Sequence, residues 1–527
     1  MMLRCVIILV VLGTSLSAFP ARSGQEKRVF TLEDCAVGDE VRYTAAVLEY
    51  EPYKDWSNAS SGDDILMTNV DFIYEAAKMA KEYGADIFVA PEYGVQSLDM
   101  YTNDSVRFQS LTQQIPDPSL RVVPCAIDGQ VANFIAIRSL SCMALELEMY
   151  LVIDLAEQAA CNTSQAPCQA DGLSFFNTQV VFDRAGTVIA RYRKQNLYLE
   201  PQFVPGPMDD TTALFTTDFG VKFSLQVCFD ISFLHPAYTN IMEEGVRDVV
   251  MSTAWVDETP FLLAIGVQNG WSRGLGVNLM VAGYHWPEHT KLGSGVYRGY
   301  SDLNNLYSYD PNSGNELVVF PVTSCKTSPT TTKDLRNKNL PVITRPIKLD
   351  ISSGNRNKEP RQQRTLHEDL SIYERMVLPP TETGETNSVS QCHDDGLCCH
   401  LTYEHSSSNL TYQLLTYSGV VKKGGDIYQI YEQVCAVVWC ESENWRTCAR
   451  LDLFEPPQDT FGPFNMQGNF SCETVFPVGL TRDFNLIPNS VYSVNSVNDS
   501  LYTMTSDQGT YNTMTVALFG RWYAKDP

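Results

Sequence analysis

The spacing of apolar residues over roughly the first 320 positions alternates between two periods. Residues 68–83 repeat apolar side chains at helical intervals, and Gly84 follows where a helix would end. Shorter apolar and β-branched runs predict strands at 41–50, 85–90, 150–155, 177–182, 187–191, 223–227 and 248–253. The turn sequence DRAG separates the fourth and fifth of these runs, and HPAYTNIMEEG predicts a crossover helix between the last two. This alternation indicates an α/β domain in which helices cover a largely β core.

The pattern changes beyond residue 325. Residues 326–364 are rich in Thr, Pro, Asn, Lys and Arg and poor in large apolar side chains, which is typical of a linker or surface arm. From about residue 371 onward, β-like runs such as LTYQLLTY and YQIYEQVCAVVWC alternate with Gly, Asn and Ser clusters, and seven cysteines lie beyond residue 390. We therefore predict an α/β domain over residues 30–325, a linker over 326–370 and a smaller, disulfide-rich, mostly β domain over 371–527.

The start of the chain, residues 1–18, predicts a secretory signal peptide. Arg4 precedes an apolar run, residues 5–12, that is too short to span a bilayer, and small residues suited to cleavage follow. An N-terminal membrane anchor is the alternative interpretation. The C-terminus has no long apolar tail, so we expect a secreted, extracellular protein without a membrane span. Asn-x-Ser/Thr sequons typical of a glycoprotein occur at Asn58, Asn103, Asn162, Asn409, Asn469 and Asn498.

The charge of the chain restricts its partners. Its 38 Lys and Arg against 62 Asp and Glu give a formal charge of −24 over 527 residues. Binding to nucleic acid or to an anionic membrane surface depends on clustered cations, so the acidity disfavours both as main partners. The simplest interpretation of the acidity is that it keeps the protein soluble.

Three predicted strands end in residues that could react together. Glu92 stands just beyond the run ADIFVA, Lys194 follows the strand after DRAG, and Cys228 lies where VKFSLQV passes into a turn. Ligand sites in α/β sheets gather at the carboxyl ends of the strands, so these side chains could converge. A thiol becomes strongly nucleophilic as the thiolate, which a neighbouring carboxylate or cation can promote.

These residue types suit amide hydrolysis. Glu92 can take the thiol proton, pass it to the leaving amine and then activate water. Lys194 can stabilise the oxyanion and keep Glu92 ionised, and the backbone N–H of Phe229 is the natural second oxyanion donor. Singly, each residue has a more ordinary interpretation: a capping glutamate, a surface lysine and a cysteine in a disulfide. Only their joint occurrence points to catalysis.

The sequence around these residues carries a family resemblance. PEYG, RYRKQNLYLEPQF and QVCFDISFLHPA, in this order and spacing, resemble the nitrilase superfamily, and TAAVLEYEP, STAWVDETPFL and GSGVY resemble its vanin and biotinidase branch. The resemblance implies an αββα sandwich followed by a vanin-type C-terminal domain. It also implies that Glu92 is the proton acceptor, Lys194 the oxyanion stabiliser and proton donor, and Cys228 the nucleophile, with Glu200 as a second carboxylate nearby. No metal or organic cofactor is implied.

The resemblance also implies a reaction and a small-molecule partner. Members of this branch hydrolyse linear amides, either pantetheine to pantothenate and cysteamine or biocytin to biotin and lysine. We therefore expect a secreted amidohydrolase that forms a cysteine acyl-enzyme, with pantetheine as the first candidate substrate. Hydrolysis of biocytin or another biotinyl amide is the alternative within the same mechanism. A catalytically silent ectodomain that serves binding is the alternative outside it.

The cysteine count bears on this assignment. Of 15 cysteines, Cys5 belongs to the predicted signal peptide, and the other 14 would enter an oxidising compartment where disulfides are expected. A catalytic Cys228 leaves 13, so at least one more must lie outside intrachain disulfides. The segment CHDDGLCCH is interpreted as disulfide-forming rather than zinc-binding, and Pro287 between His285 and His289 argues against a helical zinc motif.

Overall fold

The computed structural model describes residues 35, 39–57, 59, 61–101, 104–164, 168–207, 213–299, 305–327, 343–349, 360–406, 410–424, 427–450, 459–497 and 500–527. The predicted signal peptide lies outside these residues, as do the sequons at Asn58, Asn103, Asn409 and Asn498. The other two sequon residues, Asn162 and Asn469, are both exposed. None of the described helices combines the length and the apolar character needed to span a membrane.

The strands and helices that precede residue 370 belong to the first part of the fold. The strands are β1 Glu40–Glu49, β2 Ile87–Val89, β3 Tyr150–Ala160, β4 Leu173–Phe182, β5 Val188–Arg193, β6 Leu214–Thr216, β7 Lys222–Val227, β8 Asp248–Thr253, β9 Glu258–Thr259, β10 Asn278–Gly283, β11 Ser294–Arg298, β12 Leu306–Ser308, β13 Glu316–Cys325, β14 Ile347–Lys348 and β15 Leu366–His367. The helices are α1 Gly62–Glu82, α2 Ser105–Ser110, α3 Ile135–Leu147, α4 Thr239–Met242 and α5 Ala264–Leu275.

Two sheets face each other in this first part. One has the strand order β14-β13-β1-β2-β3-β4-β5 and the other β12-β11-β10-β8-β7-β6. Because side chains alternate along a strand, Val89 of β2 packs between the sheets while its neighbour Phe88 packs under α1 and α3. Helix α5 lies against the second sheet at β11. The predicted αββα sandwich is confirmed.

The predicted strands all form, whereas two helices differ from expectation. Helix α1 begins six residues before the predicted 68–83 segment because Ser61 and Asp64 make a reciprocal capping box. The predicted crossover helix is reduced to α4 and a short irregular turn, Leu234–Tyr238, before it. His235 is extended there, with φ −109° and ψ 138°, as expected for a residue that precedes proline.

The second part of the fold is rich in strands, as predicted. They are β16 Glu374–Leu378, β17 Asn387–Cys392, β18 Cys398–Tyr403, β19 Thr411–Lys423, β20 Tyr428–Cys440, β21 Thr460–Phe461, β22 Phe464–Asn469, β23 Thr474–Thr481, β24 Ser493–Ser496, β25 Leu501–Ser506, β26 Thr510–Tyr511 and β27 Thr513–Arg521. Ten of them form two five-stranded sheets, β16-β19-β20-β27-β23 and β17-β18-β22-β25-β24, with a buried apolar cluster between them, and β21 pairs with β26. Strand β23 packs on α5, which joins this part to the sandwich.

The segment predicted as a linker contributes one strand to the first sheet and one to a separate two-stranded sheet. Strand β14 extends the first sheet by pairing with β13, and β15 pairs with β9 beside the second. Strands β14 and β15 thus pair with strands that come earlier in the chain.

The disulfides distinguish Cys228 from most other cysteines. The described pairs are Cys35–Cys325, Cys125–Cys142, Cys161–Cys168, Cys392–Cys398, Cys399–Cys435 and Cys440–Cys448. The CHDDGLCCH segment therefore forms disulfides, as predicted. Cys228 and Cys472 are buried thiols outside these pairs, so the odd cysteine expected from the count is Cys472.

Candidate active site

The carboxyl ends of three strands meet at one cavity. Glu92 lies just after β2, Lys194 directly after β5 and Cys228 directly after β7. All three line a cavity of about 160 Å³. Glu92 is thus brought to two residues more than a hundred positions away, where the two sheets present parallel strand ends.

A buried ion cluster forms the floor of this cavity. The ammonium of Lys194 lies 2.8 Å from Oε1 of Glu92 and 2.5 Å from Oε1 of Glu200. Burial disfavours the charged lysine, but the carboxylates of Glu200 and Glu92 outweigh it and raise the pKa of Lys194 well above its usual value. One buried ammonium is thus shared by two carboxyl groups. Removing one partner from such a buried group typically costs about 3–5 kcal/mol.

Asn177 and Ala254 fix the orientation of the two carboxylates. The side-chain amide of Asn177, on β4, donates to Oε1 of Glu92 and to Oε2 of Glu200, each at 2.8 Å. The backbone N–H of Ala254, just after β8, donates to Oε2 of Glu92 at 2.8 Å. Sequence reasoning placed Asn177 in a strand but missed this contact. Its signal was a polar residue within the apolar run FFNTQVVF.

The turn that carries Cys228 is held from behind by Asp230. Cys228 has φ +50°, a left-handed conformation that is uncommon outside glycine. The carboxylate of Asp230 accepts from the backbone N–H of Val227 at 3.0 Å and from the Tyr192 hydroxyl at 2.8 Å. It also accepts from the backbone N–H of Asn196 at 3.1 Å and from its side-chain amide at 2.7 Å. These four contacts hold a strained backbone in place and point the thiol at the cavity.

The environment of Cys228 keeps its sulfur protonated at rest. Burial and then the Glu92 carboxylate raise the pKa of the thiol, and the opposing effect of Lys194 is smaller. A thiolate would therefore form as a neighbouring base removes the proton, rather than standing ready beforehand. Glu92 is the carboxylate whose charge acts most strongly on the thiol.

The C-terminal part of the chain supplies one side of the site. The hydroxyl of Tyr428, on β20, accepts from the backbone N–H of Leu199 at 2.8 Å, and its ring stacks on Tyr198 with centroids 5.3 Å apart. The Phe229 ring packs against both tyrosine rings. A second, smaller space of about 30 Å³ on this side of Cys228 is lined by Lys423 from β19. Sequence analysis did not identify these contributions, because no local pattern marks them.

Two more features of the first cavity went unnoticed in the sequence. The hydroxyl of Tyr93 accepts from Asn177 at 3.0 Å and from Tyr101 at 2.7 Å, so an aromatic wall is tied to the ion cluster. Lys291 adds a second cation to the cavity lining. His285 is buried, and its Nδ1 lies 2.9 Å from a Glu49 carboxylate oxygen.

Comparison with known proteins places this geometry in a family. Residues 44–262 match the carbon-nitrogen hydrolase family, and residues 363–526 match the vanin C-terminal domain. A pantetheinase of Mus musculus is 30% identical over 464 residues, which cover 88% of this chain and 84% of that protein. A pantetheine hydrolase of Homo sapiens is 31% identical over 509 residues, 94% of this chain and 92% of that protein.

Two further comparisons concern a biotinidase and a solved amidase structure. A biotinidase of Bos taurus is 29% identical over 510 residues, which cover 92% of this chain and 93% of that protein. Among solved structures, an amidase from Nesterenkonia sp. aligns with a TM-score of 0.37 and 21% identity, over 55% of this chain and 92% of that one.

The protein is a carbon–nitrogen hydrolase that acts on amides. Similarity over both parts of the chain makes the assignment more specific. The chain belongs to the vanin and biotinidase branch of the nitrilase superfamily.

Proposed function

We propose that this chain hydrolyses a linear carboxamide with Cys228 as nucleophile, Glu92 as proton acceptor and Lys194 as oxyanion stabiliser and proton donor. One observation carries the proposal: a thiol outside the disulfides lines the same cavity as the Lys194–Glu92 ion pair, in which the ammonium lies 2.8 Å from the carboxylate. Glu200 supports the lysine, and Asn177 and Ala254 orient Glu92.

The reaction runs in two halves. Glu92 takes the thiol proton as the sulfur of Cys228 attacks the amide carbon, and Lys194 and the backbone N–H of Phe229 stabilise the oxyanion. Glu92 then gives its proton to the nitrogen, the carbon–nitrogen bond breaks, and the amine leaves an acyl-thioester on Cys228. In the second half, Glu92 takes a proton from water, which attacks the thioester. The carboxylic acid leaves, and the sulfur regains its proton.

Pantetheine is the first candidate substrate. Support comes from the pantetheinases of Mus musculus and Homo sapiens, which are 30% and 29% identical to this chain. Biocytin is the second candidate, because the biotinidase of Bos taurus is similarly related, at 29% identity. We also propose that the protein is secreted and glycosylated. The disulfides and the exposed sequon residues Asn162 and Asn469 are compatible with an oxidising, extracellular setting.

An assay of both amides on the purified protein tests the proposal. We expect one of them to be hydrolysed and to leave its acyl group on Cys228, which mass spectrometry of the denatured enzyme after rapid quenching would reveal. Pantothenoyl and biotinyl adducts differ in mass, so the same spectrum identifies the substrate. A folded protein that hydrolyses neither amide and acquires no adduct would contradict both candidates and favour a silent ectodomain.

We predict that activity is lost in mild acid because Asp230 becomes protonated, and not because the protein unfolds. Burial raises the pKa of its carboxyl to about 6. Below that pH the protonated group can no longer accept from all its donors, so kcat/KM should fall roughly tenfold per pH unit as the Cys228 turn loosens. Because the folded pKa lies above that of the unfolded chain, protonation of Asp230 favours the folded state, and this stability is lost as the pH rises through 6.

The pH dependence of kcat/KM and of the melting temperature checks this expectation. Asp230→Asn is the matched variant, since it places an amide donor among the same donors without a titrating group. It should be roughly tenfold or more less active at pH 7 and should lose this limb of the pH profile. A wild-type profile that stays flat between pH 7 and 5 would show that Asp230 does not position the nucleophile.

A further inference from the structure

Lys291 occupies a fixed place in the wall of the cavity that holds Cys228. It lies between the short turn at Pro287–His289 and β11. Its backbone N–H donates to the carbonyl of Trp286 at 3.2 Å, and its carbonyl accepts from the Trp286 N–H at 2.7 Å. The lysine backbone is therefore held by a two-way bridge, while its side chain lines the cavity together with Glu92, Lys194 and Cys228.

The ammonium of Lys291 differs from the other lysines beside Cys228 in having no ion pair within the described part of the chain. Lys194 pairs with two carboxylates, and Lys423 lies 3.3 Å from Glu258 and 3.2 Å from Glu368. The hydrogen bond of the Lys291 ammonium goes to the backbone carbonyl of His289 at 3.3 Å. A partly buried cation without a counter-ion is unfavourable, and a bound anion would relieve it.

The charges that face Lys291 are those of the reaction centre. Burial lowers the pKa of its ammonium, and the groups that act in the opposite sense are Cys228, Glu92 and Asp257. Glu92 is already paired with Lys194, and Asp257 accepts from the backbone N–H of Ala264 at 2.7 Å. No resident carboxylate is therefore committed to Lys291 among the described residues.

Other cations lie near Lys291, although one of them, Lys54, is itself paired with Glu51 at 3.1 Å. The pKa of His289 is lowered first by burial and then by Lys54, Lys291 and, to a smaller extent, Arg364, with Glu288 acting in the opposite sense. Lys54 lies 3.6 Å above the Trp286 ring. Within the cavity itself, Glu92 and Glu200 already share Lys194, which leaves Lys291 as the lining cation that could attract an anionic ligand.

We propose that Lys291 binds an anionic group of the amide substrate, a carboxylate or a phosphate, and so selects charged linear amides over neutral ones. The inference rests on the proposed function, because the anion is held in the cavity where the amide would be cleaved. Pantetheine itself has no such group. Its 4′-phosphate carries a phosphate, and biocytin carries a carboxylate on its lysine.

Two matched pairs of amides test the proposal. The first pair is 4′-phosphopantetheine and pantetheine, and the second is biocytin and biocytin carboxamide, in which the carboxylate is neutralised. The wild-type enzyme should show a kcat/KM about tenfold to a hundredfold higher for the charged member of at least one pair. The pair that shows the preference tells whether phosphate or carboxylate is bound.

Variants at residue 291 separate recognition from chemistry. Lys291→Met should lower kcat/KM for the charged amide by a larger factor than for its neutral partner, so that the two values become about equal. Lys291→Arg should retain most of the preference, since the cation is kept. An equal loss on charged and neutral amides in Lys291→Met would overturn the proposal, as would the absence of preference in both pairs, while hydrolysis itself would still support the proposed function.

Hydrolysis of none of the four amides would count against the proposed substrates. In that case, binding measurements test the role of Lys291. Calorimetry on the Cys228→Ala protein should then show tighter binding of the charged member than of the neutral one. Adding Lys291→Met should remove the difference, and rising salt should weaken it. Equal binding of charged and neutral amides would refute the role of Lys291.

Discussion

Cys228→Ala should abolish turnover, with kcat/KM falling at least about 10⁴-fold, while the protein remains folded. Without the sulfur no acyl-enzyme can form, and the remaining oxyanion donors give only weak catalysis. The side chain is small and lies at a cavity wall, so its truncation leaves the core between the sheets intact. Steady-state kinetics with the best amide, the melting temperature and the mass of the quenched enzyme measure the effect.

Cys472→Ala is the matched control. Cys472 is also a buried thiol outside the described disulfides, and its sulfur lies 3.3 Å from the carbonyl of Thr474, within the C-terminal part. Its replacement should change the melting temperature slightly and leave kcat/KM within about twofold. Turnover that survives in Cys228→Ala, or that disappears equally in both variants, would refute Cys228 as the nucleophile.

Glu92→Gln should reduce kcat/KM by about 10²–10⁴-fold, because an amide cannot accept the thiol proton. The change also has a structural cost. Both carboxylate oxygens of Glu92 receive donors, Lys194 and Asn177 on one and the N–H of Ala254 on the other, so the new NH₂ group must face a donor. Loss of that hydrogen bond should cost about 1–3 kcal/mol, which a melting curve would register.

Glu200→Gln separates the lost base from the disturbed cluster. Glu200 contacts the same ammonium and the same Asn177 amide, so the substitution makes a similar change in the same buried cluster. We expect a comparable fall in melting temperature but a smaller fall in kcat/KM, by about tenfold to a hundredfold. Equal losses in the two variants would mean that Glu92 acts only by positioning Lys194.

The elements of the sandwich could be predicted because their signals are local. An apolar run such as ADIFVA is buried on both faces in β2, and the helical repeat in residues 68–83 is the buried stripe of α1. Where neighbouring residues decide an outcome beyond this pattern, the prediction was less accurate. Ser61 extends α1 toward its N-terminus, and Pro236 reduces the crossover helix.

The positions of the reactive residues could also be predicted from local sequence patterns. Glu92, Lys194 and Cys228 each come within three residues of the end of a predicted strand, so the topology of an α/β sandwich carries them to one edge. Their neighbours in space could not be found this way. Asn177 lies in the middle of a strand, and Asp230 acts on Cys228 from behind the turn through contacts with a distant tyrosine.

The sequence by itself determined seven strands of the sandwich, helix α1, the strand ends at which the reactive side chains emerge and the family to which the chain belongs. Each of these depends on apolar periodicity or on short motifs, which are properties of neighbouring residues. The tertiary structure alone decided which cysteines pair, which carboxylates share Lys194, that Tyr428 closes one side and that no carboxylate among the described residues pairs with Lys291. These features depend on distances between residues far apart in the chain, which only the packing of the folded protein fixes.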